Sequence, residues 1–229
     1  MVTKILNLYA GIGGNRKLWY GDIEVTAVEI DETIAKIYQD NFPQDKVIIG
    51  DAHQYLLEHY QEFDFIWASP PCPTHSRMRN LKNNCEETEK KYPDMKLYEE
   101  IIFLTHFFKG KFVVENVIAY YEPLIKPQLC NNHYFWCNFL ISDIGKDERG
   151  IRLEGIEYKE KRNGFKVSHL DIPERLKEKV LNNCVKPEVG LHIFNMAYKQ
   201  KQVTLDTIQE GGNGLPPTDK SVGIRPTIL

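Results

Sequence analysis

The stretch Lys4-Ile5-Leu6-Asn7-Leu8-Tyr9, followed at once by Ala10-Gly11-Ile12-Gly13-Gly14-Asn15-Arg16, decides how this chain is read. A short apolar run cut off by a glycine loop is the pattern of a buried strand that ends beside a ligand site. The unit then repeats. Residues 24–30 (EVTAVEI) are β-branched and end in acid, and Asp31 is placed to cap a helix over 32–41, with Ile34, Ile37 and Tyr38 on one face and Pro43 closing it. Residues 46–49 read as a third strand, followed by Gly50-Asp51 and a helix to about residue 60. Residues 63–68 (FDFIWA) form a fourth strand, broken by Ser69-Pro70-Pro71-Cys72-Pro73. A helix over 98–108 then leads to a fifth strand, 111–115. Strands separated by helices predict a parallel sheet with right-handed crossovers, a doubly wound, Rossmann-like α/β fold.

After about residue 128 the rhythm changes. Residues 133–141 read as a strand, 159–166 (KEKRNGFK) as a basic loop, and 173–183 as a helix. The expected division is an α/β core over 1–128, a small mixed α+β region over 129–200, and a Gly- and Pro-rich segment over 201–229.

Composition narrows the class. With 229 residues, 42% of them hydrophobic, the chain can bury a sizeable core, and no apolar run reaches the roughly 18–20 residues of a membrane span. The start resembles a strand, not a signal peptide, and five scattered cysteines read as reduced thiols, so a cytoplasmic protein is expected. Twenty-nine basic against 32 acidic residues leave a net charge of −3, so any nucleic-acid contact must use local basic patches.

Ligands of open α/β sheets lie beyond the carboxyl ends of the strands, where every suggestive residue here falls. Arg16 stands where a dinucleotide fingerprint wants a third glycine, and the Lys-Ser/Thr of a phosphate loop is missing, which leaves a nucleoside without pyrophosphate. Glu29 can accept both ribose hydroxyls, and Asp51 an exocyclic amine; alternatively both are helix and turn caps. Flanking prolines frame Cys72 as a nucleophile, and Glu115-Asn116 as an acid or hydrogen-bonding pair beside it. The spacing Cys130-x-x-His133-x-x-x-Cys137 looks like zinc ligation, but two of its members fall in an apolar strand, so no metal is expected.

In this order, Leu8-Tyr9-Ala10-Gly11-Ile12-Gly13-Gly14, Glu29-Ile30-Asp31, Gly50-Asp51, Pro70-Pro71-Cys72 and Glu115-Asn116-Val117 resemble successive motifs of the cytosine-C5 DNA methyltransferases. His133-Tyr134-Phe135-Trp136 and Val189-Gly190-Leu191-His192-Ile193 are similar to stretches of compact members encoded by phages and bacterial mobile elements, of the restriction-modification kind.

The resemblance implies S-adenosyl-L-methionine as cofactor and double-stranded DNA as partner of a monomeric enzyme. It implies that Cys72 adds to C6 of a flipped cytosine, that Glu115 holds or protonates ring N3, and that Asn116 orients the catalytic loop. The site must also supply a positive field for the thiolate. Tyr9, Gly11 and Gly13 would frame the cofactor's methionine part, and Ala10, Ile12 and Gly14 of the same loop would also bind the cofactor. Glu29 would bind the ribose, Ile30 would pack on adenine and Asp51 would accept its amine, with Ala52 and Pro71 also binding the cofactor. Asn213, in Gly212-Asn213-Gly214, resembles the family's last motif near the cofactor.

His75, Arg77, Arg79 and Lys82 could close over the base and its phosphates, and Lys161 and Arg162 head the basic loop expected to read DNA, where Gly164 would let the backbone enter a groove. One departure stands out: the family's Gln-x-Arg-x-Arg strand corresponds here to Asn131-Asn132-His133-Tyr134, with no arginine. About seventy residues remain for reading DNA, so a short recognition sequence or low specificity is expected. The alternatives are an RNA (tRNA) cytosine-C5 methyltransferase and a DNA-binding relative that has lost catalysis.

Overall fold

Seven strands hydrogen-bond in the order β3-β2-β1-β4-β5-β7-β6 in the computed structural model, which describes residues 2–76, 92–145 and 155–198. Two units are distinguished, Met1–Tyr198 and Lys199–Leu229, and the second lies outside the described residues. The strands are β1 Thr3–Leu8, β2 Ile23–Glu29, β3 Lys46–Ile49, β4 Phe65–Ala68, β5 Lys111–Val117, β6 Gln128–Cys130 and β7 His133–Cys137. The first five pair in parallel, as expected of near-continuous apolar runs covered on both faces. Strand β7 lies antiparallel to both β5 and β6.

The helices are α1 Glu32–Asn41, α2 Ala52–His59, α3 Lys96–Phe107, α4 Ile156–Asn163, α5 Glu174–Asn182 and α6 Pro187–Tyr198. Asp31 caps α1 through Thr33 N and Ile34 N, and Ile34, Ala35, Ile37 and Tyr38 form its buried face. One face of the sheet packs Leu6, Leu8, Ile66 and Val114 under Leu56 of α2 and Leu97, Ile101 and Leu104 of α3. On the other, Ile5, Trp19, Phe65 and Trp67 meet Val189, Ile193 and Phe194 of α6. Phe165, Val180 and Leu181 pack with Ile34, Tyr38 and Phe42.

The division expected at residue 128 falls within β6, and the residues on either side of it belong to one unit. The strand expected over 133–141 ends at Cys137, and β6 had not been anticipated. Asn131 (φ 47°) and Asn132 (φ 61°) join β6 to β7 as a two-residue hairpin; both carry the positive φ that such turns demand and that Asn tolerates better than most residues.

The basic loop expected over 159–166 is instead mostly α4, and this is a correction. Its Lys and Glu residues are ordinary helix formers, and Gly164 at φ 68° ends the helix in a left-handed cap. A Cβ at Gly164 would stand 2.9 Å from the Lys17 side chain, so this glycine serves a helix end against Lys17 and not a groove.

Candidate active site

Sheet order reverses between β1, which pairs with β2 on one side, and β4 on the other. Such a switch point opens a crevice at the strand ends. A cleft of about 180 Å³ occupies it, and its walls include Tyr9, Ile30, Asp51, Ala52, Pro71 and Leu97. Five of these were expected from sequence; Leu97 was not.

The glycine loop is held by its own protein. Gly11 N donates to Glu29 Oε2 at 2.9 Å, while Glu29 Oε1 accepts from Ile30 N at 2.9 Å and Asp31 N at 3.1 Å. Glu29 thus ties the end of β2 to the loop after β1. Space is open where a Cβ at Gly11 would stand. At Gly13 (φ 86°) a Cβ would lie 2.3 Å from the Phe42 ring, and at Gly14 it would lie 2.2 Å from Val185 O. These two glycines therefore serve close packing within the protein. Ala10 and Ile12 are buried in the core beside α1. Arg16, in the place of a third glycine, is buried and binds Asp45 through Nε at 2.8 Å and a terminal amine at 3.0 Å.

Asp51 caps α2 by accepting Gln54 N at 2.9 Å, and that backbone hydrogen bond is the main reason its carboxyl lies below the usual carboxylate range. So the capping and pocket-wall readings hold together. Exposed Ile30 faces the same cleft, with 70% of its surface accessible. Beneath Tyr9 lies a cluster that the sequence did not disclose: Glu100 on α3 is fully buried, accepts the Tyr9 hydroxyl, and lies 3.3 Å from His53 Nδ1. The hydrogen bond to Glu100 pushes the His53 ring's pKa up, and burial pushes the Tyr9 hydroxyl well above its ordinary value.

Strands β4 and β5 build the other side. Asn116, buried within β5, donates through Nδ2 to Pro70 O at 3.1 Å and accepts Val117 N on Oδ1 at 2.9 Å. This fixes the turn that carries half-buried Cys72. Glu115 is 6% exposed and hydrogen-bonds the Ser69 side chain, whose Oγ also accepts Trp67 Nε1 at 2.9 Å. Burial raises the Glu115 carboxyl, opposed by His133, whose Nε2 lies 3.9 Å from Glu115 Oε1. Burial likewise raises the Cys72 thiol, and the charge of Glu115 adds to the rise. Among the described residues, desolvation and the Glu115 carboxylate are what shift the thiol.

His75, expected on a loop over DNA, is 1% exposed, and its Nδ1 lies 2.6 Å from the Tyr121 hydroxyl. Its amide donates to Cys72 O at 3.0 Å and its carbonyl accepts Tyr120 N at 3.1 Å. Burial pushes its pKa down, so it is a neutral ring packed under the Cys72 turn and not a cationic phosphate clamp. Arg77, Arg79, Lys82 and Asn213 lie outside the described residues. Lys161 is exposed on the last turn of α4, and Arg162 beside it donates through Nε to Asn163 Oδ1 at 3.2 Å. The zinc-like trio is dispersed among other partners: Cys130 is buried, Cys137 Sγ donates to Phe139 O at 3.2 Å, and His133 faces Glu115. Among the described residues no helix is long and apolar enough to cross a membrane.

Residues 3–123 match the family model of C-5 cytosine-specific DNA methylases. The chain is 26% identical over 234 residues to the Type II methyltransferase M.HgiBI of Herpetosiphon aurantiacus, covering 93% of this chain and 50% of that protein. It therefore spans about half the length of the curated relatives it matches along most of its own length. A tRNA (cytosine(38)-C(5))-methyltransferase of Spodoptera frugiperda is 34% identical over 84 residues, 34% of this chain and 25% of that protein. Among solved structures, a methyltransferase of Entamoeba histolytica superposes with a TM-score of 0.58 at 12% identity, covering 86% of this chain and 98% of that one. That likeness concerns the fold alone.

Proposed function

We propose, for a chain that belongs to the family of C-5 cytosine-specific DNA methylases, that it transfers a methyl group from S-adenosyl-L-methionine to C5 of a flipped cytosine in double-stranded DNA. The observation that carries the reading is the placement of Cys72, in the turn after β4, beside Glu115 on the adjacent parallel strand β5, with Asn116 bonded to the carbonyl of Pro70 in the nucleophile's turn.

The cleft suits the cofactor. Ile30 and Pro71 offer apolar surface for an adenine, exposed Asp51 an acceptor for its amine, and Gly11 open backbone for the methionine part. Glu29 binds the ribose with acceptor capacity beyond its three backbone bonds. When bound, S-adenosyl-L-methionine supplies an electrophilic methyl group.

Cytosine C5 is too weak a nucleophile to take that group unaided. Cys72 adds to C6, which turns C5 into an enamine-like carbon. Glu115, whose carboxyl burial raises, holds or protonates ring N3 as the thiolate adds, so that charge building on the ring is stabilised where it forms. A protonated Glu115 also relieves the charge that otherwise opposes thiolate formation at Cys72. Lys161 and Arg162, together with Arg77, Arg79 and Lys82, are the basic residues assigned to DNA phosphates. A monomer working in the reducing cytoplasm completes the reading, with Cys72, Cys130, Cys137 and Cys184 as free thiols.

Tritiated methyl transfer to duplex DNA and to tRNA, run side by side, tests the substrate. The proposal expects label in DNA that is lost in Cys72→Ser. The partial likeness to the tRNA enzyme favours the second reading, RNA methylation, which label in tRNA alone would establish. Label in neither polymer would favour a DNA-binding relative without catalysis.

A further inference from the structure

The contact between His133 and Glu115 belongs to neither the expected motifs nor the expected ligand set, and it falls where an arginine was missed. The hairpin built on Asn131 and Asn132 sets β7 against β5 with Val117 opposite His133 and Glu115 opposite Phe135. His133 Nδ1 lies 3.0 Å from Asn131 O. A carbonyl can only accept, so Nδ1 carries a hydrogen, and in a neutral ring Nε2 would be a bare lone pair. Nε2 is the atom turned toward Glu115 Oε1, at 3.9 Å.

A lone pair facing an ionised, buried carboxylate is repulsive, so the pair is stable only while it keeps a proton. A proton on Nε2 turns that repulsion into attraction, because the ring can then donate toward Oε1. At 3.9 Å the contact is longer than a hydrogen bond, and catalytic contacts that are long without substrate tighten when it arrives.

We propose that His133 is the positioning residue of Glu115, donating from Nε2 to Oε1 in place of an arginine, so that the carboxyl is held for the cytosine ring only while the pair retains its proton. This rests on the methyltransferase reading for its consequence, though the pair itself does not.

Among the described residues, the Ser69 side chain also hydrogen-bonds Glu115, and His133 is the titratable group facing it from β7. Glu115 reaches the ring from β5, with Cys72 beyond it in the turn after β4. From β6 the neighbour in register is Cys130, whose thiol burial pushes up. After β7, Asp143 is engaged by Asn131 N at 3.1 Å and Gly145 N at 3.0 Å. His133 keeps a third of its side chain exposed, against 8% for Glu115, so it can exchange its proton with solvent on behalf of a buried acid.

Two measurements test this. Carboxyl-carbon NMR of the full chain follows the titration of Glu115, which His133 pulls down. That titration is expected to move up in His133→Ala and down in His133→Arg, and an unchanged titration in both would overturn the pairing whether or not the protein is active. Kinetics test the consequence. His133→Ala is expected to lower kcat about 10- to 100-fold, the cost of a hydrogen bond to a charged group, with cofactor affinity unchanged. His133→Arg, a donor at every pH, is expected to restore kcat and to exceed wild type increasingly as pH rises. A ratio of His133→Arg to wild type that is flat with pH, or a His133→Arg no better than His133→Ala, would sink the positioning role. A wild type inactive on DNA and RNA would instead refute the methyltransferase reading, while the Glu115 titration would still decide the pair.

Discussion

The two sides of the cleft use the same kind of residue, a carboxylate near a strand end, and treat it in opposite ways. Asp51, exposed at the head of α2, is held below its ordinary range by backbone amides. Glu115, buried in β5, is pushed above it by desolvation. Glu29 belongs with Asp51: three backbone amides converge on it, and the loop after β1 is thereby set. One side is a mould whose carboxylates are tied to backbone amides. On the other, burial makes Glu115 and Cys72 reluctant to charge. Environments that push like groups apart divide the labour of a site, with binding on one side and proton chemistry on the other.

The largest test of that division is Glu115→Gln. Loss of a positioned acid should lower kcat by about 10²- to 10⁴-fold while calorimetry finds cofactor affinity unchanged. Equal losses in both would merge the two sides. Asn116→Ala comes next. It frees the carbonyl of Pro70 and should destabilise the fold by about 1–3 kcal/mol in urea titrations, with a fall in kcat larger than any change in cofactor binding.

Gly13→Ala probes the mould itself. Its Cβ would press on Phe42 from a left-handed backbone, so a loss of about 1–3 kcal/mol is expected, larger than at Gly11, where space is open. Thermal melts of the two variants check the order, and an equal loss would mean that the loop is shaped by backbone conformation alone.

The smallest effect concerns pH. His53 is raised in the native state by its hydrogen bond to Glu100, so its stabilising contribution is complete below the ordinary value of 6.5 and fades as pH rises through the native one. Wild type should therefore exceed His53→Gln in melting temperature by more at pH 6 than at pH 8.5. A gap that widens toward alkaline pH would contradict the assignment.

What could be read from the sequence was local. Asp31 and the apolar spacing of 32–41 define α1 to the residue, because cap and face are encoded within the helix itself. The strand-end positions of Asp51 and Cys72 follow from the apolar runs before them. What could not be read depends on partners far along the chain. Gly13 looks like ligand access until α1 folds back and puts Phe42 against it. Glu100 looks like any polar residue of a helix, and its burial comes from Tyr9 and His53, 91 and 47 residues away. Residues 159–166 were misread as a basic loop because Gly164 was taken for backbone access to a groove, when it ends a helix. The Asn131-Asn132 pair was the available hairpin signal. Given weight, it would have set β7 antiparallel to its neighbour and drawn attention to His133.

The most direct measurement is a covalent trap. The full chain, incubated with S-adenosyl-L-methionine and duplex DNA carrying 5-fluorocytosine in varied sequence contexts, is digested and mapped by mass spectrometry. The expected result is a methylated 5-fluorocytosine adduct on the peptide containing Cys72, absent from Cys72→Ser and slowed in Glu115→Gln. No adduct in any context, or an adduct that survives Cys72→Ser, would contradict the account.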